Sequence, residues 1–170
     1  SGYAGDDLIF GGAGNDTLYA AGTNASDTPY GHAILEGGLG DDTMYGTGRQ
    51  TTFVYRYGDG HDTIIDNSNV GSVPDVLEFR DIRSSDVKVV VGPNGSDMLI
   101  LIRDMVSGSF DTPAGSVLIK DGFKFQEASS GSYSGSSAME QFVFADGPLS
   151  FAELGERFAF GNNTYNFSVG

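Results

Sequence analysis

Aspartates recur in this sequence at the sixth place of a glycine-rich stretch of nine residues. The pattern is G-G-x-G-x-D-x-U-x, in which U is a large apolar residue, and residues 11–19 and 37–45 match it almost completely. A carboxylate and several main-chain carbonyl groups in one tight turn offer hard oxygen ligands. Ca²⁺ takes about 6–8 such ligands in irregular geometry, whereas Mg²⁺ requires a stricter octahedron. The spacing therefore predicts calcium binding.

Other copies of the pattern keep the aspartate or lose it. Residues 28–36 and 46–54 retain the large apolar residue, but Ala33 and Thr51 stand at the sixth place. These two copies should keep the fold and lose a side-chain ligand. The copies that keep the aspartate are residues 2–10, 11–19, 37–45 and 57–65, with Asp7, Asp16, Asp42 and Asp62.

The repeat predicts a solenoid in which six residues of each copy form a turn and three form a short strand. Two copies make one coil, so alternate turns stack on the same side. If the inserted residues bulge outward, turns 11–16, 37–42 and 57–62 stack together, and we expect two calcium ions there, one in each gap. On the other side only the first turn keeps its aspartate, Asp7, so calcium there should be weak or absent.

Folding of such a solenoid should depend on calcium. Glycine-rich turns lose much entropy on ordering, and stacked aspartates repel each other when no cation lies between them. Binding energy therefore appears as folding energy. Extracellular calcium modules often bind at about 10⁻⁴–10⁻³ M, so the chain would stay loose in a calcium-poor cytosol and fold outside the cell.

The composition agrees with a cation-binding chain. Acidic residues number 23 and basic residues 9, giving a net charge of −14. That balance argues against nucleic acid and against an anionic membrane surface. There is no cysteine, and no apolar run approaches the length of a membrane span. The sequence shows no signal-peptide pattern, and we expect Ser1 to be an internal cut of a longer protein.

These copies resemble the RTX (repeats-in-toxin), or haemolysin-type, calcium-binding proteins. Residues 2–65 carry the specific part of the resemblance, while residues 75–79 and 142–147 are similar to the region that often follows the repeats. The resemblance implies an all-β protein with a right-handed parallel β-roll, calcium in its turns, and export from a Gram-negative bacterium by the type I secretion machinery. It also implies that the sixth-place aspartates and the carbonyl groups of the turn glycines are ligands. These are Asp7, Asp16, Asp42 and Asp62, with Gly12, Gly14, Gly38, Gly40, Gly58 and Gly60.

The second half changes from repeat to alternating strands. Residues 93–95 predict a hairpin turn, residues 129–137 are a Gly/Ser tract expected to be a mobile loop, and a capping box at residues 150–153 should open a short helix that ends near residue 160. The predicted strands are residues 76–79, 87–91, 98–103, 117–120 and 141–145.

We expect residues 67–170 to cap the roll of residues 1–66 within one continuous domain, because an exposed strand edge invites aggregation. Its aromatic side chains should pack the core of the cap. The rival interpretation is an exposed aromatic platform for a sugar or peptide. The aromatic residues concerned are Phe123, Phe125, Phe142, Phe144, Phe151, Phe158 and Phe160.

Other side chains give weak signals for chemistry. His32 and His61 lie in different copies, and two histidines without cysteine assemble no convincing catalytic or zinc arrangement. His61 is expected to face solvent. Asp75 and Glu78 could supplement the last calcium site, although a solvated face is the favoured interpretation.

The sequence therefore favours a non-catalytic calcium-binding module that folds after export and stabilises the end of a larger extracellular bacterial protein. The alternative is an extracellular binding module, such as an adhesin segment or a polysaccharide-recognising part of a secreted enzyme. Glycans or cell-surface ligands would then join calcium as partners. An enzyme in its own right is the third interpretation, and it lacks a credible catalytic group.

Overall fold

The chain folds almost entirely into β-strands. The computed structural model describes residues 5–20, 31–46, 50–66, 74–92, 94–122, 124–127, 133–136, 139–151 and 153–154. In chain order the strands are β1 (Asp7–Ala13), β2 (Thr17–Tyr19), β3 (Ala33–Leu39), β4 (Thr43–Tyr45), β5 (Thr51–Tyr55), β6 (His61–Ile65), β7 (Val76–Phe79), β8 (Val87–Val91), β9 (Met98–Ile102), β10 (Gly115–Ile119), β11 (Lys124–Glu127), β12 (Tyr133–Ser136), β13 (Gln141–Phe144) and β14 (Gly147–Ser150).

Two six-stranded sheets form the walls of a roll, and successive strands of the repeat alternate between them. The first sheet has the order β1-β3-β5-β7-β13-β14, and the second has the order β2-β4-β6-β10-β9-β8. All repeat strands pair in parallel, which requires the chain to cross to the opposite sheet before it returns. The expected parallel β-roll is confirmed.

Eighth-place apolar residues of the repeat point into the space between the sheets and form two rows. Every member is buried except Ile9, which is partly buried. Both rows continue past the repeat, because β7 pairs with β5 and β10 pairs with β6. The row in the first sheet is Ile9, Leu35, Phe53, Leu77 and Phe142, and the row in the second is Leu18, Met44, Ile64, Ile119 and Met98.

Strand lengths differ between the two sheets. β2 and β4 have three residues each, as expected, but β1 and β3 have seven. The longer strands run on into the glycines of the next turn, where Gly12 remains in parallel register with Gly38. The turn therefore contributes to the sheet instead of interrupting it.

The predicted hairpin and capping box are confirmed. β8 and β9 pair antiparallel, and the Asn94 side chain accepts the main-chain N–H of Asp97 at 2.9 Å inside the connecting turn. Ser150 and Glu153 bond reciprocally, with the Ser150 hydroxyl donating to Glu153 Oε2 at 2.7 Å. Phe151, Glu153 and Leu154 are helical. The expected end of this helix lies outside the described residues.

One prediction for the second half is wrong. Residues 133–136, inside the Gly/Ser tract, form β12 and pair antiparallel with β11. Pairing with a neighbouring strand outweighs the low strand propensity of glycine and serine. β11 and β14 lie outside the strands predicted from the sequence.

Aromatic packing in the second half follows the prediction where the side chains are described. Phe142 and Phe144 are buried, and Phe151 packs against the same core. The rings of Phe144 and Phe79 stack with centroids 4.9 Å apart. Phe123, Phe158, Phe160 and the Phe125 side chain lie outside the described part. Among the described residues no helix is long and apolar enough to span a bilayer.

Candidate calcium site

The three turns that keep aspartate on one side of the roll stack directly on each other. Thr17 pairs with Thr43, and Thr43 pairs with Thr63, so the residues that follow the sixth-place aspartates are aligned. The turns are also bonded to each other, because the N–H of Gly40 donates to the carbonyl oxygen of Asp59 at 2.7 Å. We call the space between turns 11–16 and 37–42 gap I, and the space between turns 37–42 and 57–62 gap II.

In each pair of stacked turns, one carboxylate oxygen of the later aspartate binds the main chain of the earlier turn. Asp42 Oδ1 accepts the main-chain N–H of Asp16 at 2.7 Å, and Asp62 Oδ1 accepts that of Asp42 at 3.1 Å. The second oxygen behaves differently. The Oδ2 atoms of Asp16, Asp42 and Asp62 are all buried and have no hydrogen-bond partner. A buried carboxylate oxygen without a partner is costly, and these oxygens recur once per turn.

Glycine at the first place of the turn makes room for that second oxygen. A Cβ atom on Gly37 would collide with Asp42 Oδ2, and one on Gly11 would lie 2.9 Å from Asp16 Oδ2. The Gly37 carbonyl oxygen would lie only 2.5 Å from the same added atom on Gly11. The carboxylate therefore folds inward over its own turn, towards a carbonyl group of the next.

Carbonyl groups of three predicted ligand glycines, Gly12, Gly14 and Gly40, lie against the neighbouring turn. An added Cβ on Gly38 would collide with the carbonyl oxygen of Gly12, one on Gly40 with that of Gly14, and one on Gly60 with that of Gly40. The predicted glycines all have positive φ, which L side chains rarely adopt. These are Gly12, Gly14, Gly38, Gly40, Gly58 and Gly60.

Gly60 differs from the other predicted ligands. Its carbonyl oxygen accepts the Tyr55 hydroxyl at 2.7 Å and the main-chain N–H of Ser116 at 3.0 Å. Both lone pairs of this carbonyl are therefore engaged, so it is a poor candidate for a metal ligand. Burial raises the pKa of the Tyr55 phenol, which keeps it a neutral donor.

The stacked carboxylates create a strongly acidic interior. Burial, followed by the negative charges of Asp42, Asp59 and Asp41, raises the pKa of Asp62 to about 8, against a partly opposing hydrogen bond from Asp42. Burial, with the charges of Asp16 and Asp41, also raises the pKa of Asp42. Among the described residues no lysine, arginine or histidine forms an ion pair with Asp16, Asp42 or Asp62. Within the described part of the chain, no positive charge offsets this repulsion, and a bound cation would do so.

The available donors fit calcium better than a softer metal. No group of three or more histidine, aspartate or glutamate side chains in the described ranges is placed to hold a metal by itself. The donors that the described turns offer are two carboxylates per gap and main-chain carbonyl groups. Such a set contains oxygen alone, which suits Ca²⁺ and gives no imidazole or thiolate for zinc.

Calcium affinity should depend on pH, since Ca²⁺ binds the ionised carboxylate and must displace a proton from Asp62 below pH about 8. We expect the affinity to fall as the pH drops from 8 to 6, by up to about tenfold per unit for that site. The metal-free protein should show the opposite trend. Protonation of Asp62 stabilises the fold fully below the unfolded pKa of about 4, and this contribution is lost as pH rises through about 8. Calcium titrations and chelated melts from pH 5 to 9 test both signs, and an affinity independent of pH would contradict them.

The opposite side of the roll stacks Asp7, Ala33 and Thr51 in register, as the spacing predicts. One interpretation is corrected here. Asp75 does not lie on a solvated face but is buried, and its Oδ1 accepts the main-chain N–H of Thr51 at 2.6 Å. That contact is the one Asp62 makes to Asp42, so Asp75 occupies the sixth place of an irregular further turn. A clue was present in the sequence, because Asp75 precedes Leu77 by two residues, as Asp62 precedes Ile64.

Glu78 lies away from both rows of turns, on the outer face of β7. Its Oε1 pairs with Arg80 at 3.3 Å, and Arg80 and Arg56 both contact Glu36. It therefore belongs to a surface ion-pair network and does not supplement a calcium site.

The fifth place of the repeat carries a second ladder, which the sequence analysis missed. Asn15 Oδ1 accepts the main-chain N–H of Asp41, and Asp41 Oδ1 accepts that of His61, both at 3.0 Å. Asp6 makes the same contact to His32 at 2.8 Å. The signal that could have found it is an aspartate or asparagine directly before the sixth place in three copies.

Both histidines have structural contacts. His32 Nε2 lies 2.8 Å from Thr52 Oγ1, and His61 Nδ1 lies 3.0 Å from Ser116 Oγ. In each case a fifth-place histidine contacts a hydroxyl group on the next strand of its own sheet. His61 is exposed, as predicted.

Comparison with known proteins identifies the repeat. The family described as the RTX calcium-binding nonapeptide repeat (4 copies) matches residues 1–24 and 30–48. The chain therefore contains an RTX-type calcium-binding repeat region, and Ca²⁺ is the ion that such repeats bind. The copy at residues 57–65 lies beyond the match and is aligned with the others by the register of β6.

Other comparisons add little. No curated protein is similar to the chain. Among solved structures, the solution structure of the AlgE6R3 subunit of the Azotobacter vinelandii mannuronan C5-epimerase is 18% identical, covering 71% of this chain and 73% of that chain, with a TM-score of 0.35.

Proposed function

We propose that this RTX-type repeat region folds on calcium binding after type I secretion and stabilises the end of a larger extracellular bacterial protein. The observation that carries the proposal is the row of buried, unpartnered carboxylate oxygens on Asp16, Asp42 and Asp62. In the absence of a cation, three such groups stacked in one column oppose folding. With calcium shared between neighbouring turns, the same carboxylates would coordinate the ion and form the strongest bonds between the coils.

The coupling to secretion rests on the difference in calcium concentration across the cell envelope. A site tuned to about 10⁻⁴–10⁻³ M remains empty where calcium is scarce and fills outside the cell. The repulsion among the aspartates would then keep the repeats loose during export. The acidic composition of the chain and its lack of cysteine support calcium, and not disulfide bonds, as the cross-link that stabilises the roll.

Residues 67–170 are proposed to cap the roll of residues 1–66. β7 and β10 cover the last strand of each repeat sheet, and they bury Leu77 and Ile119 against the eighth-place rows. These contacts would give the roll a finished end and a surface from which ordering of the repeats can spread.

A non-catalytic role is proposed for the chain itself. The structure describes one serine–histidine contact, His61 with Ser116. It resembles the contact of His32 with Thr52 in the opposite sheet. A contact that recurs at the same place of the repeat is accounted for by strand pairing, and no third group that would orient His61 is found among the described residues.

Far-ultraviolet circular dichroism in calcium and in chelator tests the proposed function. We expect the strand signal and the cooperative melt to depend on calcium in the millimolar range, with magnesium unable to substitute. Identical spectra and melting temperatures in 10 mM calcium and in chelator would overturn the proposal.

A binding module remains the second candidate because of one surface feature. Tyr19 and Tyr45 stack with ring centroids 4.7 Å apart on the outer face of β2 and β4. Tyrosine side chains on an outer sheet face combine apolar area with a hydroxyl group, a combination that can contact a sugar. Binding on a glycan array that depends on calcium and is lost in Tyr19→Ala would favour this candidate, and no binding to any glycan would remove it.

A further inference from the structure

Gap I and gap II are built from the same repeat but differ in their surroundings. The lower wall of gap II, turn 57–62, is fixed to the rest of the protein. Gly60 is held by Tyr55 and Ser116, and the main-chain N–H of Tyr57 donates to Asp81 Oδ1 at 2.8 Å. The outer turn of gap I is residues 11–16. Its described hydrogen bonds join it to residues 39–43 of the neighbouring copy.

The aspartates that flank gap II are also more deeply buried than the outer aspartate of gap I. Asp42 and Asp62, which flank gap II, are each 1% exposed, whereas Asp16 in the outer wall of gap I is only partly buried. A site whose walls are already held in place loses less entropy when the ion binds. It also excludes more water, which strengthens the attraction between ion and carboxylate.

Charge at the fifth place differs between the gaps as well. The side chain that bridges gap I is Asn15, a neutral amide, and the one that bridges gap II is Asp41, a carboxylate. Both make the same contact, a side-chain oxygen accepting a main-chain N–H of the next turn at 3.0 Å. The two bridges therefore have the same donor–acceptor distance and differ by one unit of charge.

We propose that gap II binds calcium more tightly than gap I, and that the charge difference between Asp41 and Asn15 at the fifth place is one of its causes. This inference rests on the proposed function, because it concerns the same ions. Asp41 is not a ligand in this account. It is a positioning and electrostatic residue whose negative charge favours a cation in the adjacent gap, while its oxygen holds turn 57–62 in register.

Two reciprocal substitutions test this because each keeps the bridging oxygen. Asp41→Asn removes the charge beside gap II, and Asn15→Asp adds one beside gap I. Isothermal titration with calcium at pH 9, above the pKa of Asp62, should show two unequal sites in the wild-type protein. We expect Asp41→Asn to weaken the tighter site and Asn15→Asp to strengthen the weaker one, each on the order of threefold to tenfold at low ionic strength.

Salt separates this effect from a change in ladder geometry. Both fifth-place side chains are exposed, so the shifts in affinity should shrink when the ionic strength is raised to about 0.5 M. Asp111→Asn, at an exposed position outside the repeats, removes the same charge and should leave both sites unchanged.

The outcomes separate this inference from the proposed function. Two equal sites in the wild-type protein, or unequal sites whose affinities neither substitution moves, overturn the inference and leave calcium-dependent folding intact. Absence of calcium binding in the wild-type protein overturns the proposed function itself. A shift that persists at high salt assigns the effect to ladder geometry and overturns the electrostatic role of Asp41.

Discussion

Asp42→Asn should lower the melting temperature of the calcium-loaded protein by about 10–20 °C. Asp42 lies in the middle of the three stacked turns and flanks both gaps, so its charge serves both ions. At calcium concentrations about 100 times the dissociation constant, each site contributes about 2.7 kcal/mol. The loss of two sites costs about 5 kcal/mol, and each kcal/mol corresponds to about 2–4 °C in a domain of this size.

The same substitution should have the opposite effect in chelator. Asparagine keeps an oxygen that can accept the N–H of Asp16, but it removes one charge from the acidic column. We therefore expect the chelated variant to be no less stable than the chelated wild-type protein. Paired melts in calcium and chelator measure this crossover, with Asp111→Asn as the control. Equal destabilisation in both conditions would mean that Asp42 stabilises the fold independently of calcium.

Gly38→Ala should remove calcium from gap I, and Gly58→Ala should not. The two glycines occupy the second place of their turns with nearly equal φ values of +99° and +95°, so both substitutions carry a similar backbone penalty of about 1–2 kcal/mol. They differ in what the new methyl group meets. At Gly38 it collides with the Gly12 carbonyl oxygen that faces gap I, and at Gly58 nothing lies within 4 Å.

Calcium stoichiometry together with unfolding in chelator separates the two effects. We expect Gly38→Ala to bind one ion fewer and to lose more stability in calcium than Gly58→Ala does. In chelator the difference between the variants should be smaller, because the contribution of the ion is absent from both. Equal stoichiometry in the two variants would show that the carbonyl groups of the turn are not needed for binding.

The sequence predicted the stacking of the turns because a nine-residue period leaves few alternatives. Once two copies make one coil, turns 11–16, 37–42 and 57–62 must share a side, whatever bulges between them. The apolar residues at the eighth place also fixed which side chains face the core, as the buried rows through Phe53 and Ile64 show.

Features that depend on tertiary contacts could not be predicted in this way. Asp75 occupies a sixth place with valine at the first and fourth places, where the pattern has glycine. Its spacing to Leu77 is therefore a weak signal, and its contact with Thr51 identifies it. The fifth place of the repeat has no fixed residue type in the pattern, which hid the ladder through Asn15 and Asp41. The engagement of the Gly60 carbonyl depends on Ser116, a residue more than fifty positions away.

A crystal structure determined in millimolar calcium, with anomalous scattering to identify the ions, tests the account most directly. The account predicts one ion in gap I and one in gap II, each about 2.3–2.6 Å from oxygens of two consecutive turns, with Asp16, Asp42 and Asp62 among the ligands. The account would be contradicted if these three carboxylates turned away from one another and no ion lay between the turns.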